Sequence, residues 1–393
     1  MKMRMSVRYA NYHCPRPATE RSGDLRTCLQ CLVRHVRAAL VGFRQTPHSD
    51  LRRLQRFGFM VVSLTLTFFF MLLVLRAAEC PREFPTLNDT DASGGFNAIP
   101  FRIHQMYRDV NIPSVYRPFV KSWMKNHPKW EYWFWTDESI RDLLQDHYPQ
   151  FLDMYDGYSN NLLRSDAARY FILYHFGGVY ADMDMESFRP VEPILTKHSC
   201  FFSREPTVQS TLLYDMTSVT MNAWMACSKR HKFMKYVINS LPQYDKHIKT
   251  IFETIYITGP QMLHKTLLSY NTTQNCTKEE SNCAVYVAPY EMFMPAWDDG
   301  QKGHFHEMCS INLQNLSLQQ LLACVWLRKT NFSNTIPTNI PYIYANHKFL
   351  HIGYENGHYK NKKKPVHISK LVSNAIRYVR RPANSTEEYR IYW

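Results

Sequence analysis

The stretch Gly177-Gly-Val-Tyr-Ala-Asp-Met-Asp-Met-Glu186 governs how the rest of the chain is read. Two glycines precede a short apolar run, and two carboxylates, Asp182 and Asp184, close it. Side chains two apart on a strand point the same way, so the spacing predicts that both acids share one hard cation while Met183 turns to the other side. Oxygen ligands at a strand end suit Mg2+ or Mn2+, which keep waters and bridge to substrate phosphates. Just upstream, Leu163, Ala167, Phe171 and Tyr174 recur at helical spacing and predict a helix over 161–176. Gly177 and Gly178 end it in the usual manner of a helix C-terminus. Asp166 and Arg169, three apart, fall on one face of that helix. In open α/β sheets, ligands bind at the carboxyl end of such a strand.

The same alternation extends outward. A strand closing at Ile103, a helix over Ser114 to Asn126, a strand over Glu131 to Trp135 and a helix over Glu138 to His147 predict an α/β domain with a mainly parallel sheet. The polar stretch Tyr270 to Ala284 reads as a surface insertion. Hydrophobic residues make up 45% of the 393 and aromatics 14%, which excludes a disordered chain and suits one sizeable domain.

The N-terminal part reads differently. Phe57 to Leu75 carries no charge, and at about 1.5 Å per residue it can cross a hydrocarbon layer of about 30 Å. Arg52, Arg53 and Arg56 precede it, which predicts a cytosolic N-terminus and a lumenal bulk. With 56 residues ahead of the run, an uncleaved anchor fits better than a signal peptide. Residues 1–56 hold 12 Lys/Arg against 3 Asp/Glu, so most of the net charge of +14 resides there. That excess suits anionic lipid headgroups and is poor support for nucleic-acid binding. All six Asn-X-Ser/Thr matches, at Asn88, Asn271, Asn275, Asn315, Asn331 and Asn384, follow the apolar run. So do seven cysteines, an odd number that leaves one without an internal partner, Cys80 being the candidate. Cys276 and Cys283 are close enough to close a small loop, but spacing does not fix pairing. The expected organisation is a basic cytosolic tail (1–56), a transmembrane signal anchor (57–75), a stem (76–98), a catalytic domain (99–355) and a basic C-terminal extension (356–393).

The run Arg164-Ser-Asp-Ala-Ala-Arg-Tyr170 followed by Gly177 to Asp184 resembles the DXD signature of one glycosyltransferase group. That group contains yeast initiating α-1,6-mannosyltransferase, inositol-phosphoceramide mannosyltransferase and α-1,4-galactosyltransferase. The run is also similar to the donor site of the large clostridial glucosylating toxins. Ile99 to Gln105, Phe134 to Asp137 and Thr258 to Met262 resemble further family segments, so the likeness spans about 99–353. It implies a GT-A-like, Rossmann-type nucleotide-sugar-binding domain. It also implies that Asp182 faces the nucleotide ribose or metal-bound water, that Asp184 binds the cation, and that Asp166 and Arg169 hold donor-sugar hydroxyls. His104 and Gln105, at the end of the first strand, would lie near the nucleotide base, or act as polar strand caps. Tyr107 stands where a base-stacking Trp is common in the family. Asp137 reads either as a base-recognising residue or as the N-cap of the helix after it. Asn222 resembles a segment bordering the donor site. His347 resembles the C-terminal histidine that completes the cation site, with His351 as its competitor; an imidazole ligand favours Mn2+ over Mg2+.

The implied activity is a Golgi-type, single-pass (type II) hexosyltransferase acting with retention. The diphosphate motif does not read the sugar, so GDP-mannose, UDP-galactose and UDP-N-acetylglucosamine all fit as donors. The residues after Asp184 look closest to the inositol-phosphoceramide mannosyltransferases, which leans the reading towards mannose on a sphingolipid-type glycolipid, a glycan acceptor remaining open. The alternatives are a catalytically silent lumenal protein that keeps the fold for binding, and a metal-dependent phosphohydrolase, which commonly needs two metals about 4 Å apart.

Overall fold

A computed structural model describes residues 98–244, 253–273, 283–310, 316–336, 341–352, 364–380 and 390–392. The chain separates into two units, Met1–Thr86 and Leu87–Trp393, and every described residue belongs to the second. The expected tail and membrane anchor, and all but the last residue of the expected stem, lie outside the described residues. Among the described residues no helix is long and apolar enough to cross a membrane.

Twelve strands are described: β1 (Arg102–Met106), β2 (Asn111–Ile112), β3 (Glu131–Trp135), β4 (Gly178–Ala181), β5 (Met185–Ser187), β6 (Cys200–Arg204), β7 (Thr220–Cys227), β8 (Tyr286–Ala288), β9 (Ala345–His347), β10 (Val366–His367), β11 (Ile376–Tyr378) and β12 (Arg390–Tyr392). Eight form the central sheet in the order β12-β11-β3-β1-β4-β7-β6-β8. The block β11-β3-β1-β4 is parallel, β7 runs against both β4 and β6, and β12 runs against β11. β6 and β8 are parallel, so the sheet is mixed, with four parallel and three antiparallel pairings. Chain order reverses at β1, which lies between β3 and β4, and in α/β sheets such a switch point opens a crevice at the strands' carboxyl ends.

Three helices position that crevice: α1 (Arg117–Asn126), α2 (Asp137–His147) and α3 (Asn161–Phe176). β3 alternates cleanly. Trp133 and Trp135 join one core and Tyr132 and Phe134 the other, all fully buried. Both faces of the sheet are thus covered, and each of these rings stabilises the fold by about 1.5–3 kcal/mol. α3 is buried on nearly every side, from Leu163 to Phe176. Asn160 caps it by accepting from Leu163 N–H at 3.0 Å. Gly177 (φ 65°) ends it and Gly178 (φ 106°) starts β4. A Cβ at Gly178 would come within 2.8 Å of Arg102 O, so only glycine lets β4 approach β1 here.

The sheet does not stop at 355. β11 pairs beside β3 through Ile376 and Trp133, and Tyr378 Oη donates to Asp146 Oδ2 at 2.8 Å. The stretch expected as a basic extension thus supplies two strands of the sheet, because Ile376 and Tyr378 are core side chains. Tyr270 likewise is buried at the end of a helix rather than in a surface insertion. Disulfides join Cys200 to Cys227 across β6 and β7, and Cys309 to Cys324 between the helices Lys302–Ser310 and Leu318–Lys329. Cys283 is also disulfide-bonded, whereas Cys80 and Cys276 lie outside the described residues.

Candidate active site

β4 ends at Ala181, one residue before the acids. Asp182 to Asp184 form a turn, closed where Met185 N–H donates to Asp182 O at 3.0 Å. The period-two strand argument therefore does not operate at this pair; Met183 between them is buried. Long-range pairing converges the acids instead. β5 follows the turn and runs antiparallel to β9, with Met185 opposite His347, and Lys348 N–H donates to Asp184 O at 3.1 Å.

Asp182, Asp184 and His347 consequently each offer one ligand atom, all within 4.8 Å of one another. Asp184 Oδ1 lies 3.1 Å from His347 Nε2, and its Oδ2 accepts from Leu350 N–H at 2.9 Å. Burial opposes the charge on Asp184, but His347 and the Leu350 amide outweigh it and hold the carboxyl below its ordinary value. Burial likewise opposes the imidazolium, and Asp184 outweighs it, raising His347. His347 Nδ1 is buried with no hydrogen-bond partner among the described residues. Two carboxylates and an imidazole make a donor set that fits Mn2+ or Mg2+. His351 is engaged elsewhere, its Nε2 lying 2.8 Å from Asp298 Oδ2, so His347 is the histidine that joins the acids.

Arg169 organises the other flank. Its guanidinium reaches Asp166 Oδ1 at 2.8 Å, Asp182 Oδ1 at 3.2 Å and Asn222 O at 2.8 Å, and it lies 4.7 Å from the Tyr180 ring centroid. Its donors serve neighbouring protein groups, so it sets the positions of two acids at once. Burial works against its charge, but Asp182, Tyr180 and Asp166 together raise its pKa. Asn222 Nδ2 donates to Asp166 Oδ1 at 3.0 Å. Burial is also the main influence on Asp166, whose pKa stands at about 6 despite the neighbouring Arg169.

The first-strand residues act from beneath. His104 and Gln105 are fully buried. His104 Nε2 lies 2.8 Å from Gly177 O, and Nδ1 accepts from Trp135 Nε1 at 3.1 Å. Burial lowers its pKa to about 3, so the ring is neutral. With both ring nitrogens engaged, His104 pins the Gly177 turn rather than facing a base. Gln105 Nε2 donates to Asp182 O at 3.1 Å and its Oε1 accepts from Tyr132 Oη at 2.8 Å, which makes it a brace for the turn. Tyr107 is partly buried, edge-on to Tyr116 with centroids 5.9 Å apart. Asp137 is exposed at the first position of α2. The N-cap is Thr136, in a capping box with Ser139, which removes the capping alternative for Asp137.

Three further groups at the site escaped the sequence reading. Tyr180 Oη donates to Asp182 Oδ1 at 2.6 Å; its place two residues before Asp182 was the available signal. Tyr116 is nearly buried, and after burial the charge of Asp184 is what most raises its hydroxyl. Glu205 is buried, its Oε2 accepting from Gln209 Nε2 at 2.9 Å, and burial lifts its carboxyl to about 7. No local pattern marks either of the last two.

Residues 113–201 match the family model described as a glycosyltransferase sugar-binding region containing a DXD motif. Inositol phosphoceramide mannosyltransferase 1 of Schizosaccharomyces pombe is 34% identical over 47% of this chain and 56% of its own length. Inositol phosphoceramide mannosyltransferase 3 of the same organism is 36% identical over 42% of this chain and 44% of its own. The chain thus spans about half the length of these two relatives. The mannosyl phosphorylinositol ceramide synthase CSH1 of Saccharomyces cerevisiae is 29% identical over 65% of this chain and 68% of its own. The matched block includes the turn, α3 and the strand that join the cation group to the Asp166–Arg169 pair, so the likeness to DXD-motif glycosyltransferases falls on the residues that build this site.

Proposed function

We propose that the chain is a metal-dependent, GT-A-like hexosyltransferase. It moves a hexose from a nucleotide-diphosphate sugar to a glycolipid or glycan acceptor, with retention of anomeric configuration. The observation that carries this reading is the convergence of Asp182, Asp184 and His347 directly beside the Asp166–Arg169–Asn222 network. Among the described residues this is the single group of three or more with ligand geometry, which gives a two-metal phosphohydrolase no support. The relatives' names lean the donor towards a mannose nucleotide and the acceptor towards a ceramide-based lipid.

In this reading Asp182, Asp184 and His347 hold Mn2+ or Mg2+, which when bound supplies Lewis-acid stabilisation of the departing diphosphate. Asp166 accepts hydrogen bonds from donor-sugar hydroxyls. Arg169 and Asn222 hold Asp166 and Asp182 in fixed orientation, and such positioning supplies much of a transferase's rate. Tyr107 offers a ring for the nucleotide base, and Asp137 a carboxylate near it. Gln105, Tyr180 and His104 hold the turn from below, so the ligand atoms need little rearrangement. No protein nucleophile is assigned. The uncharged run Phe57 to Leu75, with its preceding arginines, supports a single-span anchor and a lumenal, Golgi-type location.

The test uses the full-length chain in detergent micelles. GDP-mannose, UDP-galactose and UDP-N-acetylglucosamine are offered with and without Mn2+, and Asp184→Asn is the control. Turnover of one donor, dependent on the cation and lost in the control, supports the proposal and names the sugar. A folded chain that binds no donor overturns it in favour of a silent binding module.

A further inference from the structure

The two edges of β5 have different partners. Its flanking residues face β9: Lys348 N–H donates to Asp184 O at 3.1 Å, and Phe188 N–H donates to Tyr344 O at 2.8 Å. With a period of two, the main-chain groups of Met185 and Ser187 face the opposite edge. Among the described residues β9 is the single strand beside β5, so no second strand serves that edge. Met185 and Ser187 are both buried, and buried main-chain groups need partners within the protein.

Helix α1 supplies three of the four. Trp123 Nε1 donates to Met185 O at 2.8 Å. Ser187 N–H donates to Ser122 Oγ at 2.9 Å. Asn126 Nδ2 donates to Ser187 O at 3.0 Å and lies 2.9 Å from Ser187 Oγ. The fourth group, Met185 N–H, closes the turn on Asp182 O at 3.0 Å. The three side chains come from little more than one turn of α1. Just beyond the helix, His127 Nδ1 lies 3.0 Å from Trp123 O, and its Nε2 accepts from Val191 N–H at 3.1 Å.

We propose that Trp123, Asn126 and Ser122 are positioning residues of the cation group, through which α1 replaces a third strand beside β5 and sets where Asp184 and His347 meet. The inference rests on the cation role given above to Asp182, Asp184 and His347. Met185 is the point of leverage. Its N–H closes the turn that carries both acids, it stands opposite His347 on β9, and its carbonyl is held by the Trp123 indole. A shift of β5 against α1 therefore moves the acids and the histidine relative to one another. None of the three clamp residues belongs to the ligand group itself; they act on it through the β5 main chain. Groups that hold metal ligands in place govern affinity strongly, because the ion tolerates little misplacement of its donors.

The experiment titrates the full-length chain in detergent with Mn2+ alone, free Mn2+ being read by electron paramagnetic resonance. Asn126→Ala and Ser122→Ala alter partly buried side chains. Trp123→Phe keeps a ring and deletes the indole N–H. Tyr378→Phe is the control, since it removes a buried side-chain hydrogen bond, to Asp146, from a different strand. Denaturant melts establish which chains are folded. Each folded clamp variant is expected to bind Mn2+ about tenfold or more weakly, while Tyr378→Phe keeps the unaltered affinity. Unaltered affinity in folded Asn126→Ala and Ser122→Ala overturns the clamp, whether or not Trp123→Phe folds, and leaves the transferase reading intact. Equal weakening in Tyr378→Phe also overturns it, since the loss would then follow general stability. An unaltered chain that binds no Mn2+ overturns both the clamp and the cation reading.

Discussion

His347 Nε2 and Asp184 Oδ1 lie 3.1 Å apart although 163 positions separate them in the chain. The contact depends on β5 and β9 pairing outside the central sheet. The C-terminal part of the domain thereby completes a cation group whose two acids are Asp182 and Asp184. Local order in the DXD turn and long-range order in β9 must both be present before the three ligand atoms converge.

Removing either end of that contact is expected to abolish tight cation binding. Asp184→Asn and His347→Ala should each weaken Mn2+ binding by at least about 100-fold, since altering groups that merely support metal ligands costs 10–100-fold. Electron paramagnetic resonance titration of free Mn2+ reads this without an acceptor or a known donor. Wild-type affinity in His347→Ala would remove the histidine from the ligand set.

Asp166 should give the activity an acidic limb. Burial, with the charge of Asp182, lifts its carboxyl to about 6 against the pull of Arg169 and the Asn222 hydrogen bond. A hydroxyl-accepting role needs the ionised form, so donor kcat/KM should fall as pH drops through about 6. Asp166→Asn should lower the plateau by about 10–100-fold and abolish that limb. Asn222→Ala, which removes a donor to the carboxylate, should move the limb to higher pH. A limb unchanged in Asp166→Asn would assign the titration to another group.

The parts of the fold that were legible beforehand are those with strong local signals. The helix 161–176 carries apolar residues at helical spacing up to a glycine stop, and β3 is a run of alternating core aromatics; both match to the residue. Pairings between distant segments left no comparable trace. Nothing local tells Ile376 to lie beside Trp133 or β7 to run against β4, and hence the antiparallel pairings and the C-terminal strands were missed. The site divides along the same line. Asp182, Asp184, Asp166 and Arg169 stand in one continuous block, and the structure brings them together with His347. His104 and Gln105 were marked by position at a strand end, but position does not reveal that tertiary packing covers them. Tyr116 and Glu205 reach the site only through folding of distant segments.

Glu205 is expected to limit stability at neutral and alkaline pH. Burial raises its carboxyl from 4.5 to about 7 in the fold. Between those values the folded chain holds more protons than the unfolded one, so this group's contribution falls as pH rises across about 4.5 to 7. Glu205→Gln removes the buried charge. It should raise stability at pH 8 by on the order of 1–3 kcal/mol and change it little at pH 4. Denaturant melts of both proteins at the two pH values check this, and equal shifts at both would indicate a packing effect instead.

Gly178→Ala should be among the more damaging small substitutions in the domain. The residue has φ 106°, and an added Cβ would lie 2.8 Å from Arg102 O and 2.9 Å from Arg102 Cβ, both part of β1. Relief would require moving β4 away from β1, the neighbour whose Gln105 braces Asp182. The backbone conformation alone costs about 1–3 kcal/mol for a residue with a side chain, and the close contacts add to it. Gly303 provides the contrast: it is helical, and a Cβ there meets nothing within 4 Å. Gly303→Ala should therefore be neutral or stabilising by up to about 1 kcal/mol. Parallel denaturant melts give the stabilities, and Mn2+ titration of Gly178→Ala under conditions where it stays folded reads the site. Weakened Mn2+ binding there would tie the β1–β4 spacing to the geometry of the acids, whereas unchanged binding would confine the glycine's role to stability.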